Sequence, residues 1–116
     1  MGRLTTHVLD TAAGIPASGV AVELYRIDGA RQLIARAVTD DHGRSPAPLL
    51  DSATMVAGRY ELVFAVGDYF AARGVAMSEP RFLDQVPLVF GIADTGSHYH
   101  VPLLISPWSY STYRGS

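Results

Sequence analysis

Apolar residues recur at every second position over most of this chain. In "VAVELYRI", Val20, Val22 and Leu24 share one side, while Ala21, Glu23 and Tyr25 share the other. "RYELVFAV" repeats the pattern, placing Tyr60, Leu62, Phe64 and Val66 together. A period of two belongs to a strand with one face buried, because successive side chains leave the pleat on opposite sides. "LTTHVLD", "QLIARAV", "VPLVFGIA" and "HYHVPLLI" also read as strands. Asp28-Gly29 predicts a hairpin between "VAVELYRI" and "QLIARAV", the second and third runs in chain order, since glycine supplies the positive φ of a tight turn. "DTAAGIPASG" and "TDDHGRSPAP" carry the Gly, Pro and Asp punctuation of loops. Only "GDYFAARG" predicts a helix, with Asp68 as its cap and Gly74 as its end. Pro102 has no N–H to give a ladder, so an interruption is expected beside it. The sum is an all-β sandwich with one short helix. Its edge strands must be blunted or paired with another subunit.

Composition narrows the class. At 116 residues the chain can bury one core and has no room for a second, so positions 1–116 read as a single domain. Hydrophobic residues make up 48% and charged residues 17%, which fits a packed domain rather than a disordered chain. A formal net charge of −2 recommends neither a nucleic acid nor an anionic membrane as partner. No apolar stretch approaches the ~18–20 residues of a membrane helix. "MGRLTTHVLD" enters a strand pattern without a long apolar segment, so no secretory leader is expected. The chain contains no cysteine. Disulfides and thiolate chemistry are thereby excluded, and a cytoplasmic setting is expected.

Candidate chemistry starts with histidine, whose ordinary pKa near ~6.5 suits it to carry protons at neutral pH. His7 falls in the first strand, on the side of Thr5 and Leu9. His98 and His100 are two apart and share a face of their strand with Pro102 and Leu104. His42 lies in the "DDHGR" turn, where a solvated side chain is the simpler reading. Mid-strand histidines are ordinarily structural groups with satisfied hydrogen bonds, so position alone assigns no catalysis. His7, His98 and His100 could offer nitrogen to zinc. With no cysteine and no carboxylate at ligand spacing, a metal is not expected. No phosphate-binding glycine loop, Gly-x-Ser-x-Gly elbow or dinucleotide fingerprint is present. Arg44 and Arg114 carry planar forks that grip carboxylates, imides and oxyanions at two points. Tyr110 and Tyr113 could merely cover sheet surface with their hydroxyls in water. The final "YSTYRGS" is nonetheless unusually well equipped for a chain end, which is ordinarily polar and expendable.

"HYHVPLLISPWSYSTYRGS" resembles the signature of the 5-hydroxyisourate hydrolases, the transthyretin-related proteins of urate breakdown. "LTTHVLDTAAGIPASGVAVELYRI" is similar to the opening segment of that family, "TDDHGR" to its Gly-Arg turn and "GRYELVFAVGDYFAARG" to its strand-then-helix middle. The likeness runs from Arg3 to Ser116, with "VAMSEPRFLDQ" the looser fit and His42 a departure. Transthyretin itself, a hormone carrier, lacks the terminal Tyr-Arg-Gly-Ser. The resemblance implies a transthyretin-like two-sheet sandwich assembled as a homotetramer, with active sites at the dimer–dimer interface. It implies a small purine-derived substrate, 5-hydroxyisourate, opened by water at its ring amide, with no metal or organic cofactor. The family's functional residues fall on His7, Arg44, His100 and the segment from Tyr113 to Ser116. One of His7 and His100 would draw a proton from water and the other would orient it or protonate the leaving nitrogen. Arg44 would stabilise the growing negative charge, while Tyr113 and Ser116 would hold the ring. His98 receives no role. The competing expectation is a non-catalytic carrier of an aromatic ligand in the tetramer channel, and a purely structural or metal-binding sandwich is a third.

Overall fold

The structure, a computed structural model, describes residues 2–116. In chain order its elements are β1 (Arg3–Asp10), β2 (Ile15–Pro16), β3 (Ala21–Arg26), β4 (Gln32–Val38) and β5 (Gly58–Phe64), then α1 (Val66–Ala72), β6 (Val86–Ile92), β7 (His98–Ile105) and β8 (Tyr110–Thr112). The strands form two four-stranded sheets, ordered β2-β1-β7-β8 and β4-β3-β5-β6. β1 and β7 run parallel, and every other neighbouring pair is antiparallel. The alternation decides which face is inside. Leu4 and Val8 of β1, Leu103 and Ile105 of β7, Val22 and Leu24 of β3, and Leu62 and Phe64 of β5 join one buried cluster. Removing such side chains from water is the main favourable contribution to folding, roughly 1.5–3 kcal/mol for each large one. The all-β sandwich with one short helix is therefore as expected.

The differences are local and physical. β5 stops at Phe64, and Val66 is the first residue of α1 while remaining buried. Asp68 does not cap the helix, because the cap position is Ala65 and it makes no side-chain bond. The orphan N–H of Gly67 is instead satisfied by the Asp84 carbonyl at 2.7 Å, and Asp68 pairs with Arg81 at 2.7 Å. Gly74 does end the helix. With φ of +77° it donates to the Ala71 carbonyl while Val75 donates to that of Phe70, the paired bonds of a Schellman stop. The Asp28 turn forms as expected, and its carboxylate accepts the Arg59 N–H at 2.7 Å, tying the hairpin tip to β5. β2 and β8 are too short for alternation to reveal.

Pro102 interrupts the edge as expected. β8 pairs with β7 only from Leu103 to Ile105, and the chain regains contact at a single bridge between His100 and Gly115. The Thr112 hydroxyl donates to the Pro102 carbonyl at 2.6 Å, which holds the chain at the break.

Asp10 anchors the far end of β1. It is 2% exposed, accepts the N–H groups of Ala12 and Ala13 at one oxygen and receives the Tyr69 hydroxyl at the other at 2.9 Å. Burial and that carboxylate push the Tyr69 phenol up to about 12. The bond fastens α1 to the sheet of β1. Tyr69→Phe leaves a buried carboxylate oxygen short of a donor, so urea unfolding should show a loss of about 2 kcal/mol with an unchanged slope.

Candidate functional site

β1 and β7 both turn their inward residues to the core, so their other residues share the outer face of the sheet. The parallel register places Arg3 beside His98, Thr5 beside His100 and His7 beside Pro102. Thr5 and His100 are therefore neighbours although 95 positions separate them. The Thr5 hydroxyl lies 2.7 Å from Nε2 of His98 and 2.7 Å from Nδ1 of His100.

Two short segments close on this face, each through a glycine. In the first, the Asp40 carboxylate accepts the N–H groups of His42 and Arg44, and the Gly43 carbonyl accepts the Val8 N–H at 2.7 Å. Arg44 is thereby bridged to His7. A Cβ on Gly43 would stand 2.4 Å from the Val8 oxygen and 3.2 Å from Cδ2 of His7. In the second, Gly115 donates to the His100 carbonyl at 2.8 Å, and a Cβ there would stand 2.6 Å from Cδ2 of His100. Both glycines thus lie against an imidazole edge, and the residue after each, Arg44 and Ser116, lines the cleft. Side chains at these two positions would collide with the strand or the ring, which is a physical reason for glycine in "HGR" and "RGS".

The cleft has a volume of about 180 Å³ and is lined by Arg3, Thr5, Arg44, His98, His100 and Ser116, with Ser45 at its side. Its electrostatics are dominated by cations. Burial lowers the pKa of His100, and the charges of His98, Arg44 and His7 lower it further. Burial, then Arg44, lowers that of His7, against the opposing pull of the His42 carbonyl and Asp40. Burial and Arg3 do the same to His98. All three rings are consequently held toward the neutral form, in which one nitrogen can accept a proton. Among the described residues the Arg44 guanidinium has no carboxylate partner. A neutral imidazole beside an unpaired guanidinium can take a proton from water and stabilise an oxyanion.

The structure brings Arg44, His100 and Ser116 to one cleft, with His7 bridged to Arg44 at its edge. It does not bring Tyr113 there. That residue is 61% exposed and faces a second cavity of about 530 Å³ between β6 and β8, with Phe90, Tyr99 and Arg114. Arg114 lies over the Tyr99 ring, 4.1 Å from its centre. His42 is exposed in its turn, as expected of a solvated loop residue. Among the described residues no three His, Cys, Asp or Glu side chains gather to hold a metal. Arg3, Thr5, Ser45 and His98 were not singled out as site residues by sequence reasoning. Thr5 and His98 could have been found from their period-two spacing to His7 and His100, but their bonding depends on a register between distant strands.

The chain matches the HIUase/Transthyretin family over residues 4–115. It is 61% identical over 117 residues to the 5-hydroxyisourate hydrolase of Ralstonia nicotianae, with each chain covered in full. The solved 5-hydroxyisourate hydrolase of Klebsiella pneumoniae superposes with a TM-score of 0.83 at 38% identity, covering 100% of both chains. Sea bream transthyretin, solved in complex with thyroxine, superposes with a TM-score of 0.86 at 30% identity, covering 97% of this chain and 94% of its own. Both structural likenesses extend over the two sheets, and the family match includes the Gly43-Arg44 turn and all but the last residue of the terminal segment. The chain belongs to the HIUase/Transthyretin family.

Proposed function

We propose that this chain hydrolyses 5-hydroxyisourate, opening the six-membered ring at its N1–C6 amide to give 2-oxo-4-hydroxy-4-carboxy-5-ureidoimidazoline. The observation that carries the reading is the convergence of His100, Arg44 and Ser116 on one cleft, in a chain so similar to a 5-hydroxyisourate hydrolase along its whole length. His100 takes a proton from water as the water oxygen bonds to C6. Arg44 holds the substrate and stabilises the negative charge that grows on O6. C6–N1 then breaks as N1 gains a proton, and C6 becomes the carboxylate. His7, bridged to Arg44, orients the water or supplies the proton to N1. Ser116 fixes the ring by hydrogen bonding. The chemistry asks for two proton carriers and one cation, and no cofactor.

The working form we propose is a homotetramer with the site at the dimer–dimer interface. A cleft of about 180 Å³ is small beside the ~300–1,000 Å³ of ordinary ligand pockets, so a second copy would complete its walls. β4, β6 and β8 are edge strands, and exposed Val89 and Tyr113 stand at the margins of β6 and β8. Such edges ask for partners. In that assembly Tyr113 would serve across an interface. The span 1–116 acts as one catalytic domain, and the absence of cysteine supports a cytoplasmic home. The likeness to thyroxine-bound transthyretin makes an aromatic-ligand carrier the second reading. The cleft's arginines, histidines and hydroxyls favour hydrolysis, since a carrier of an apolar ring gains from apolar walls.

With urate and a urate-oxidising enzyme generating the substrate in a cuvette, its ultraviolet absorbance should decay faster than the spontaneous rate. Spontaneous decay combined with saturable thyroxine binding would establish the carrier instead. His100→Asn and Arg44→Ala should each lower kcat about 10²–10³-fold while sedimentation still reports a tetramer. Because His100 must be neutral to act, kcat/KM should rise with pH through its lowered pKa and be level above it. The acid limb is thus expected below the ordinary histidine value of ~6.5. Gly115→Ala forces the His100 ring aside, for an expected loss of kcat of about ten- to a hundredfold with little change in melting temperature.

A further inference from the structure

The Thr5 hydroxyl sits between two imidazoles, 2.7 Å from Nε2 of His98 and 2.7 Å from Nδ1 of His100. A hydroxyl carries a single proton. It can donate to one ring only, so at least one of the two ring nitrogens must donate to it. The tautomers of the two histidines are therefore not independent. If His100 carries its proton on Nδ1, Thr5 accepts there and donates to Nε2 of His98, which must then be protonated on Nδ1. If His98 instead carries its proton on Nε2, Thr5 donates to Nδ1 of His100, whose proton then sits on Nε2. In both linear arrangements the rings share one tautomer. In the first, Nε2 of His100 bears a free lone pair and is ready to act as a base.

We propose that Thr5 is a positioning residue that couples His100 to His98 in a proton relay, with His98 as the outer acceptor. The proposal rests on the hydrolytic reading above. When Nε2 of His100 takes a proton from water, its Nδ1 proton passes to the Thr5 oxygen. The Thr5 proton passes at the same time to Nε2 of His98. His100 is left neutral and protonated on Nε2, while His98 becomes the imidazolium. When His100 gives that proton to the leaving nitrogen the relay runs back, His98 returning its proton to Thr5 and Thr5 restoring Nδ1–H of His100. The count closes: one proton enters the chain at His100 and one is gained at His98, with no change in electrons.

The surroundings suit this direction of transfer. His98 is less enclosed than His100, so a proton arriving there is closer to bulk water. The groups facing the pair are Arg3 and His7 from β1, Arg44 from the turn before Ser45, and Ser116 from the terminal segment. Their cationic members oppose a lasting imidazolium at either ring, which favours rapid passage over storage. Thr5 is held by its β-branched side chain, stiff about χ1, and by eight register pairs between β1 and β7.

Two measurements on the intact protein test the relay. Nitrogen-15 NMR of the rings at a pH above their titration should find His98 and His100 both protonated on Nδ1, with the coupling lost in Thr5→Val. One ring on Nδ1 of His100 and the other on Nε2 of His98 would make Thr5 a double acceptor and overturn the relay. In the kinetic arm, Thr5→Val and His98→Gln should each lower kcat about ten- to a hundredfold and displace the acid limb of its pH profile. KM should stay within about twofold, and Thr5→Ser should recover most of kcat. Wild-type kcat and pH profile in both Thr5→Val and His98→Gln would also overturn it. Should Thr5→Val not fold, His98→Gln and Thr5→Ser still decide. A wild-type protein without hydrolysis defeats the functional reading and the part of Thr5 in it, while shared tautomers in that same sample would still uphold the coupling.

Discussion

Eight residues of β1 lie beside eight of β7 in parallel register, from Arg3 beside His98 to Asp10 beside Ile105. Because side chains alternate with a period of two, a slip of one residue would turn Leu4 and Val8 out to water and bring His7 into the core. The hydrophobic cost of that slip is what holds Thr5 between two imidazoles. The same ladder forms the floor to which the Gly43 turn and the Gly115 segment both attach. Parallel neighbours cannot be joined by a tight turn. Here residues 11–97, including the whole second sheet, intervene between them. The site cannot exist until nearly all of the fold does, and its geometry is as rigid as the central strands that carry it.

Two breaks in regularity turn this floor into a cleft. Pro102 withholds an N–H where β8 would continue its pairing, so the terminal segment leaves the edge after Thr112 and returns at Gly115. An unbroken ladder would have left the end of the chain flat against β7. Gly43 and Gly115 then allow backbone to approach the two imidazole edges more closely than any side chain permits. The chemically rich terminus is thereby held within one protomer: Gly115 is bonded to the strand that carries His100, and Ser116 lines the cleft beside it.

Local patterning carried most of the fold. The alternation in β1, β3, β5 and β7 names their core-facing residues, although Val63 and Pro102 on the opposite faces are buried as well, and Gly74 marks the helix stop correctly. What escaped was set by distant partners. Ala65 caps α1 without a side chain because the Asp84 carbonyl serves Gly67, and nothing near Asp68 in sequence announces that. β2 and β8 exist only because longer strands offer them an edge. In the site, the histidines and Arg44 stood out by their chemistry and by resemblance. Thr5 looked like an ordinary strand threonine until the parallel register supplied its two partners. Tyr113 shows the reverse case, a residue conspicuous in sequence that one protomer sends to a different surface.

The proposed assembly gives that divergence a use. An outer sheet face is a poor place for hydrolysis when it is open, because bulk water screens Arg44 and competes for each hydrogen bond. Covering the face with the same face of a second copy is an isologous contact, so each copy would lend walls to the other's cleft. Water exclusion would strengthen the attraction of Arg44 for a developing oxyanion. It would also disfavour protonated histidine more strongly, since burial already lowers His7, His98 and His100 in the single protomer. Both effects act in the direction that base catalysis requires. Subunit contact and proton chemistry would thus be one design rather than two, with the β1–β7 ladder setting the geometry and the neighbouring subunit setting the dielectric.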